Sequence, residues 1–313
     1  MPNIAIQKPS NLPVFPTIPL IKKGYAGQGS KYLSDSMVKQ RALVAATMAL
    51  PLVCIVLGGN TVQEVLKQAE QATAEGGELI EVRFDKLYVQ PVNVTVQNID
   101  GVDETSTEYV AREISEVNID EAIKQLKKGI DKPVLFTCRS KKEGGGFPDD
   151  EEARIGVLEQ AIVSGVSWID IEIGIEPKAR ASLLEAAKAS GVTVVASYHD
   201  LESTPSSDDI VEQLEANSDA GDIIKLCYHT RHHDDALSIF EAGWKLRNSD
   251  NSYSLMGQGI GGDWPRIHAP LLGQSMVFST LPTEKPDFTL TDKGLINVRD
   301  LMIAWEMLGD SEE

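Results

Sequence analysis

Two short apolar runs carry the groups best suited to covalent chemistry. Residues 191–200 end on Ser197-Tyr198-His199-Asp200, and residues 222–228 hold Lys225 between Ile224 and Leu226. Each run reads as a strand buried on both faces of a parallel sheet, with a helix expected at 206–220 between them. A lysine inside such a strand must lose its water shell, which is costly and points to a use for the amine. Desolvation, with cations such as Arg83 and Arg139 nearby, would leave part of that amine neutral near pH 7. A neutral amine attacks a ketone and forms a Schiff base. The iminium then acidifies the adjacent carbon–hydrogen bond. A histidine one strand away can take that proton and return it to a leaving hydroxyl. The residues describe a lyase or an aldolase acting on a small ketone, and by themselves leave the two open.

These groups need a frame that brings strand ends together. From residue 52 onward, strand and helix alternate. Strands are expected at 52–57, 79–84, 133–139, 168–173, 191–200, 222–228, 252–257 and 275–279. Helices are expected at 61–75, 150–164, 206–220 and 297–308. Eight βα units in one α/β chain predict a (β/α)8 TIM barrel over residues 46–313. An open doubly wound sheet is the runner-up, but no Gly-x-Gly-x-x-Gly turn follows the first strand. Barrel enzymes place catalytic groups at the carboxyl ends of strands, and side chains alternate along each strand. Glu81, Arg83, Arg139, Asp170, Glu172, His199 and Lys225 would therefore converge on one charged mouth.

Composition narrows the partners. Of 313 residues, 47 are acidic and 29 basic, a net charge of −18. That excess argues against nucleic acid and against an anionic membrane surface as partners. Cys54, Cys138 and Cys227 lie in apolar runs, as buried thiols do in a reducing compartment, and a cytoplasmic location is expected. They form no metal-binding spacing, so no metal is expected. The apolar run 42–59 is broken by Pro51 and ended by Gly58-Gly59-Asn60. It reads as a first strand and not an anchor. Residues 1–45, rich in Pro, Ser and Gly, read as an arm outside the barrel.

Four motifs then appear in order: Glu81-Val82-Arg83-Phe84-Asp85, Phe136-Thr137-Cys138-Arg139-Ser140 with Glu143-Gly144-Gly145, Ser197-Tyr198-His199-Asp200, and Ile224-Lys225. Met256-Gly257, Pro265-Arg266 and Leu272-Gly273 follow. Over residues 50–305 the chain resembles the type I 3-dehydroquinate dehydratases. The resemblance implies a Schiff base on Lys225, with His199 as general acid and base. It implies Glu143 as the carboxylate orienting that histidine, with Asp170 as a second support. Glu81, Arg83 and Arg139 would hold the ring oxygens of a cyclic keto acid, and Arg266 its carboxylate. The implied reaction is syn loss of water from 3-dehydroquinate to give 3-dehydroshikimate, in the shikimate pathway of aromatic amino acid biosynthesis. No cofactor is implied, since the lysine is the electron sink, and a homodimer is expected. The alternatives are a paralogous lyase acting on another hydroxylated cyclic ketone, and a non-catalytic barrel that binds a metabolite.

The sequence departs from the family in places. The family's closing loop, with a serine and a glutamine around Ala-Pro-Gly, corresponds here to Thr283-Glu284-Lys285-Pro286-Asp287-Phe288. Glu284 would repel a substrate carboxylate by about 1 kcal/mol or more, whereas Lys285 could pair with it. Pro265 replaces the serine that usually precedes the clamp arginine. An insertion at 88–117 follows the second strand, and its Val92-Asn93-Val94-Thr95-Val96 alternates like a hairpin strand. Asn93-Val94-Thr95 matches a glycosylation sequon and is read as chance. His229, His232 and His233 are read as loop or helix-start residues, not a metal site. Residues 257–262 are glycine-rich, which suits a turn or a close approach to a ligand.

Overall fold

A computed structural model describes residues 50–97, 103–282 and 294–310. The strands appear in order as β1 (Leu52–Leu57), β2 (Leu79–Arg83), β3 (Val89–Gln97), β4 (Asp103–Ala111), β5 (Val134–Thr137), β6 (Trp168–Glu172), β7 (Thr193–Asp200), β8 (Ile223–Thr230), β9 (Tyr253–Gly259) and β10 (Met276–Ser279). Eight of these form one sheet in the order β10-β1-β2-β5-β6-β7-β8-β9, with neighbouring strands parallel. Between β9 and β10 the ring is drawn together by Ser275 N–H donating to the Tyr253 carbonyl at 2.9 Å. The Gln274 side chain also stands in for ladder partners there. It accepts from Leu255 N–H at 2.8 Å and donates to the Pro265 carbonyl at 2.9 Å. The result is a nearly closed (β/α)8 barrel.

The helices are α1 (Val62–Ala74), α2 (Ile119–Gly129), α3 (Glu151–Val163), α4 (Pro177–Ser190), α5 (Ser207–Ala216), α6 (His233–Leu246), the short α7 (Trp264–Ile267) and α8 (Val298–Asp310). Several start where a side chain can satisfy a free backbone N–H: Thr61, Asn118, Asp150 and Ser206 each accept from the third residue onward. Two apolar layers lie between sheet and helices. A third, smaller cluster fills the inside of the barrel with Cys54, Leu79, Leu135, Val195, Ile223 and Met276, among others. Strand alternation then fixes the next inward positions. Glu81 follows Leu79, Ser197 follows Val195, and Lys225 follows Ile223. The apolar floor and the charged mouth are thus consecutive rungs of the same strands.

The insertion is a two-stranded antiparallel hairpin. Residue for residue, β3 pairs with β4 from Val89 opposite Ala111 to Gln97 opposite Asp103. A 3-10 turn, Phe84–Tyr88, links it to the carboxyl end of β2, with Phe84, Asp85, Leu87 and Tyr88 buried. The arm at 1–45 and the closing loop at 283–288, with Glu284, Lys285 and Phe288, lie outside the described residues. No helix among the described residues is long and apolar enough to cross a membrane.

Candidate active site

Lys225 projects from the middle of β8 and is 4% exposed. Its neighbours in register are Ser197 on β7 and Ser254 on β9. Nζ lies 3.7 Å from the ring centroid of Phe278 on β10 and 4.0 Å from Glu81 Oε1 on β2. No hydrogen bond to Nζ is seen among the described residues. The expected flanking cations are therefore not its nearest neighbours: a ring face and a carboxylate are. Glu81 is held in place by Thr137, whose hydroxyl donates to Oε1 at 2.8 Å.

His199 is the next inward residue of β7 beyond Ser197, one rung nearer the mouth. Its Nδ1 is 2.8 Å from Glu143 Oε2. Glu143 sits at the end of a 3-10 turn, Lys141–Glu143, which Ser140 caps and Gly144 ends with a left-handed φ of 80°. Burial, then the nearby Glu172 carboxylate, pushes the Glu143 carboxyl up to about 8. Burial, then the charges of Arg139, Lys225 and Arg83, holds the His199 imidazole well below its usual range. Such a pair titrates as a unit, and the carboxylate fixes which ring nitrogen carries the hydrogen.

Arg139 is enclosed by carboxylates from one strand, β6, and a turn. Nη1 donates to Ser197 Oγ at 2.8 Å, Glu172 Oε1 at 3.1 Å and Glu143 Oε2 at 3.3 Å. Nη2 donates to Asp170 Oδ2 at 2.9 Å. Asp170 also accepts from the Ser197 hydroxyl at 2.7 Å. Arg139, expected to hold substrate oxygens, here bonds protein oxygens, because three acids converge on it. Asp170, expected as a second support for His199, bonds Arg139 and Ser197. Glu172 anchors the same network through Ser140 N–H at 2.8 Å and the buried Arg154 of α3 at 3.2 Å.

Arg83, also expected to face substrate, chelates Asp85 through Nε and Nη2, both at 2.8 Å. Asp85 is fully buried and accepts a third bond from Gly146 N–H at 2.8 Å. Against the pull of burial, Arg83 keeps the Asp85 carboxyl below the usual carboxylate range. Asp85 belongs to the Glu81–Asp85 motif without an expected role of its own, and its place two residues after Arg83 is the signal for this pairing.

Arg266 is 2% exposed and has no carboxylate within ion-pair distance among the described residues. Backbone carbonyls surround it instead. Nε donates to Phe278 at 3.1 Å, and Nη1 to Gly257, Gly262 and Gly294 at 2.8, 2.6 and 2.7 Å. Burial draws this guanidinium below its usual range. The glycine-rich stretch makes the cage: a Cβ on Gly262 would meet the Gly257 carbonyl carbon at 2.6 Å, and Gly259 has a φ of 122°. The histidines past β8 lie elsewhere. His233 stacks on Trp264 with centroids 5.2 Å apart, and His232 N–H donates to Asp235. All three cysteines are buried, and burial raises each thiol.

A parallel barrel thus brings a buried lysine and a Glu–His pair to one mouth, an amine one rung below an acid–base pair. The model of the type I 3-dehydroquinase family matches residues 53–312, and the chain belongs to that family. A 3-dehydroquinate dehydratase of Klebsiella pneumoniae (strain 342) is 31% identical over 234 residues, 74% of this chain and 84% of the relative. One from Bacillus subtilis (strain 168) is 27% identical over 234 residues, 73% and 83% of the two chains. Among solved structures, the type I enzyme of Clostridium difficile shares the fold with a TM-score of 0.68 at 22% identity, covering 83% of this chain and 93% of that one. The Geobacillus kaustophilus enzyme does so with a TM-score of 0.67 at 20% identity, covering 85% and 93%.

Proposed function

We propose that this chain dehydrates 3-dehydroquinate to 3-dehydroshikimate, the shikimate-pathway step, through a Schiff base on Lys225. The observation that carries the reading is the position of Nζ. It is buried in the barrel, free of hydrogen bonds to the described residues, and one rung below a histidine gripped by a carboxylate.

The step balances as follows. The amine lone pair of Lys225 attacks the ketone carbon, and the resulting carbinolamine loses its oxygen as water to give an iminium. His199 takes a proton from the adjacent carbon, and that electron pair moves onto the nitrogen. The pair then returns to expel the ring hydroxyl, which leaves as water with the proton His199 holds. Hydrolysis of the conjugated iminium consumes the water first released and frees Lys225. The net loss is one water, and the lysine is the only electron sink required. Glu143 orients His199, while Arg139, Asp170 and Glu172 hold Glu143 and Ser197 in place. Glu81, Thr137 and the remaining guanidinium edge of Arg83 border the space for ring hydroxyls. Arg266, a buried cation that carbonyls solvate and that no carboxylate among the described residues neutralises, suits a substrate carboxylate at Nη2, since an anion would offset its charge.

We place the enzyme in the cytoplasm as a cofactor-independent homodimer. Met302, Ile303 and Met307, exposed along α8, are available apolar surface for a second copy. Borohydride added with 3-dehydroquinate tests the chemistry. A stable adduct on Lys225, with enone absorbance in parallel turnover, is expected. Folded protein that yields neither adduct nor enone would overturn the assignment, and enone without adduct would overturn the Schiff base.

A further inference from the structure

An aromatic face lies against the Lys225 nitrogen. Nζ stands 3.7 Å from the centroid of Phe278, nearer than its closest carboxylate, Glu81, at 4.0 Å. Glu81 Oε1 is already occupied by the Thr137 hydroxyl. Phe278 is 4% exposed, pairs with Cys54 on β1, and follows the inward Met276 on β10. Strand alternation therefore commits its ring to the barrel interior. Any large aliphatic residue would exclude water equally well at this position. An aromatic face adds a region of negative potential that attracts a cation. It also lacks a lone pair strong enough to bind the amine hydrogens, so it leaves the nucleophile unobstructed.

Resting on the Lys225 reading above, we propose that Phe278 is a catalytic residue whose ring face stabilises the positive charge on the Lys225 nitrogen in the iminium. The charge appears when the carbinolamine expels water and is drawn off when the adjacent proton leaves. It returns when the ring hydroxyl departs. A fixed quadrupole against the nitrogen favours each cationic species without forming a bond that must later break. The barrel wall would thus supply part of the electron-sink function that the lysine alone is given.

Replacing Phe278 with 4-fluoro-, 3,5-difluoro- and 3,4,5-trifluorophenylalanine tests this, because fluorine weakens the ring's negative face with little change in shape. Wild-type protein is first trapped with borohydride and 3-dehydroquinate; failure to label Lys225 would overturn the Lys225 reading itself. Given labelling, the initial trapping rate and kcat should fall stepwise with fluorine number, by roughly 2- to 30-fold across the series. KM should change less than kcat. Phe278→Leu should fall to the level of the trifluoro variant or below, with its circular dichroism unchanged. A flat series in variants that label and fold like wild type would overturn the role of the ring and leave the Schiff base standing. Fluorination also makes the ring more apolar, so a wall that acted only by excluding water would not produce the decline.

Discussion

The two halves of the barrel mouth differ in how completely their polar groups are satisfied. On the side of β5, β6 and β7, Arg139 faces three acids, Ser197 bonds two partners, and Glu172 joins three elements. On the side of β8, β9 and β10, Lys225 meets a ring and one carboxylate at 4.0 Å. There Arg266 has carbonyls without a counter-ion, and the buried Ser254 hydroxyl has no partner among the described residues. Buried polar groups are normally paired, so the first half is built to hold still. The second half is short of partners in the place a polar ligand would supply them. Positioning and reactivity are thus divided between opposite walls.

The largest effect should come from the incomplete wall. Lys225→Ala should cut turnover by on the order of 10⁴-fold or more while the melting temperature holds or rises, since a poorly partnered buried amine is removed. A variant with a near-normal steady-state rate would dissolve the contrast. Arg139→Met should do the opposite kind of damage. It leaves Asp170, Glu172 and Glu143 crowded and unpaired, and chemical denaturation should report a loss of roughly 3–5 kcal/mol. A loss below about 1 kcal/mol would mean the saturated wall is not structural.

Between the walls, the Glu143–His199 pair should set the pH profile. With the carboxyl raised to about 8, the resting pair keeps one extra proton below that pH. The base form, neutral histidine with ionised glutamate, prevails only above it. kcat/KM should therefore climb about tenfold per pH unit below about 8 and level off above. Glu143→Gln should remove or move that limb, and a limb that stays put would assign it to another group. The smallest effect sharpens the contrast: Ser254→Ala should leave stability unchanged or raise it by up to about 1 kcal/mol in a melt, because it deletes an unpaired buried hydroxyl.

The frame of the barrel was legible because buried parallel strands are written as local apolar runs; β1 spans Leu52–Leu57, as expected. The positions of Lys225 and His199 were legible for the same reason, since alternation and strand order place them, whereas Glu143, on a turn, was suggested only by the family motif. The contacts of Arg139 were not. Its partners lie 4 to 58 residues away on separate elements, and only folding decides whether they reach it or a ligand. The cage of Arg266 was hidden for a related reason: backbone carbonyls carry no residue signature. In the insertion, β3 showed its valine alternation, whereas β4, Asp103–Ala111, is mostly acidic and hydroxylic and is defined by its pairing partner.

The Arg266 cage also bears on chain length. Gly294, whose carbonyl accepts from Arg266, lies beyond the stretch 283–293 that follows β10. On the near side, Thr280 N–H donates to Ile296 and Val298 N–H donates back to Thr280. Both banks of that stretch are therefore moored to the barrel independently of what spans them. Lengthening a loop with fixed ends costs only about 0.6 kcal/mol per doubling. Replacing residues 283–293 should therefore leave α8 and the arginine cage seated, which an unchanged melting temperature would show.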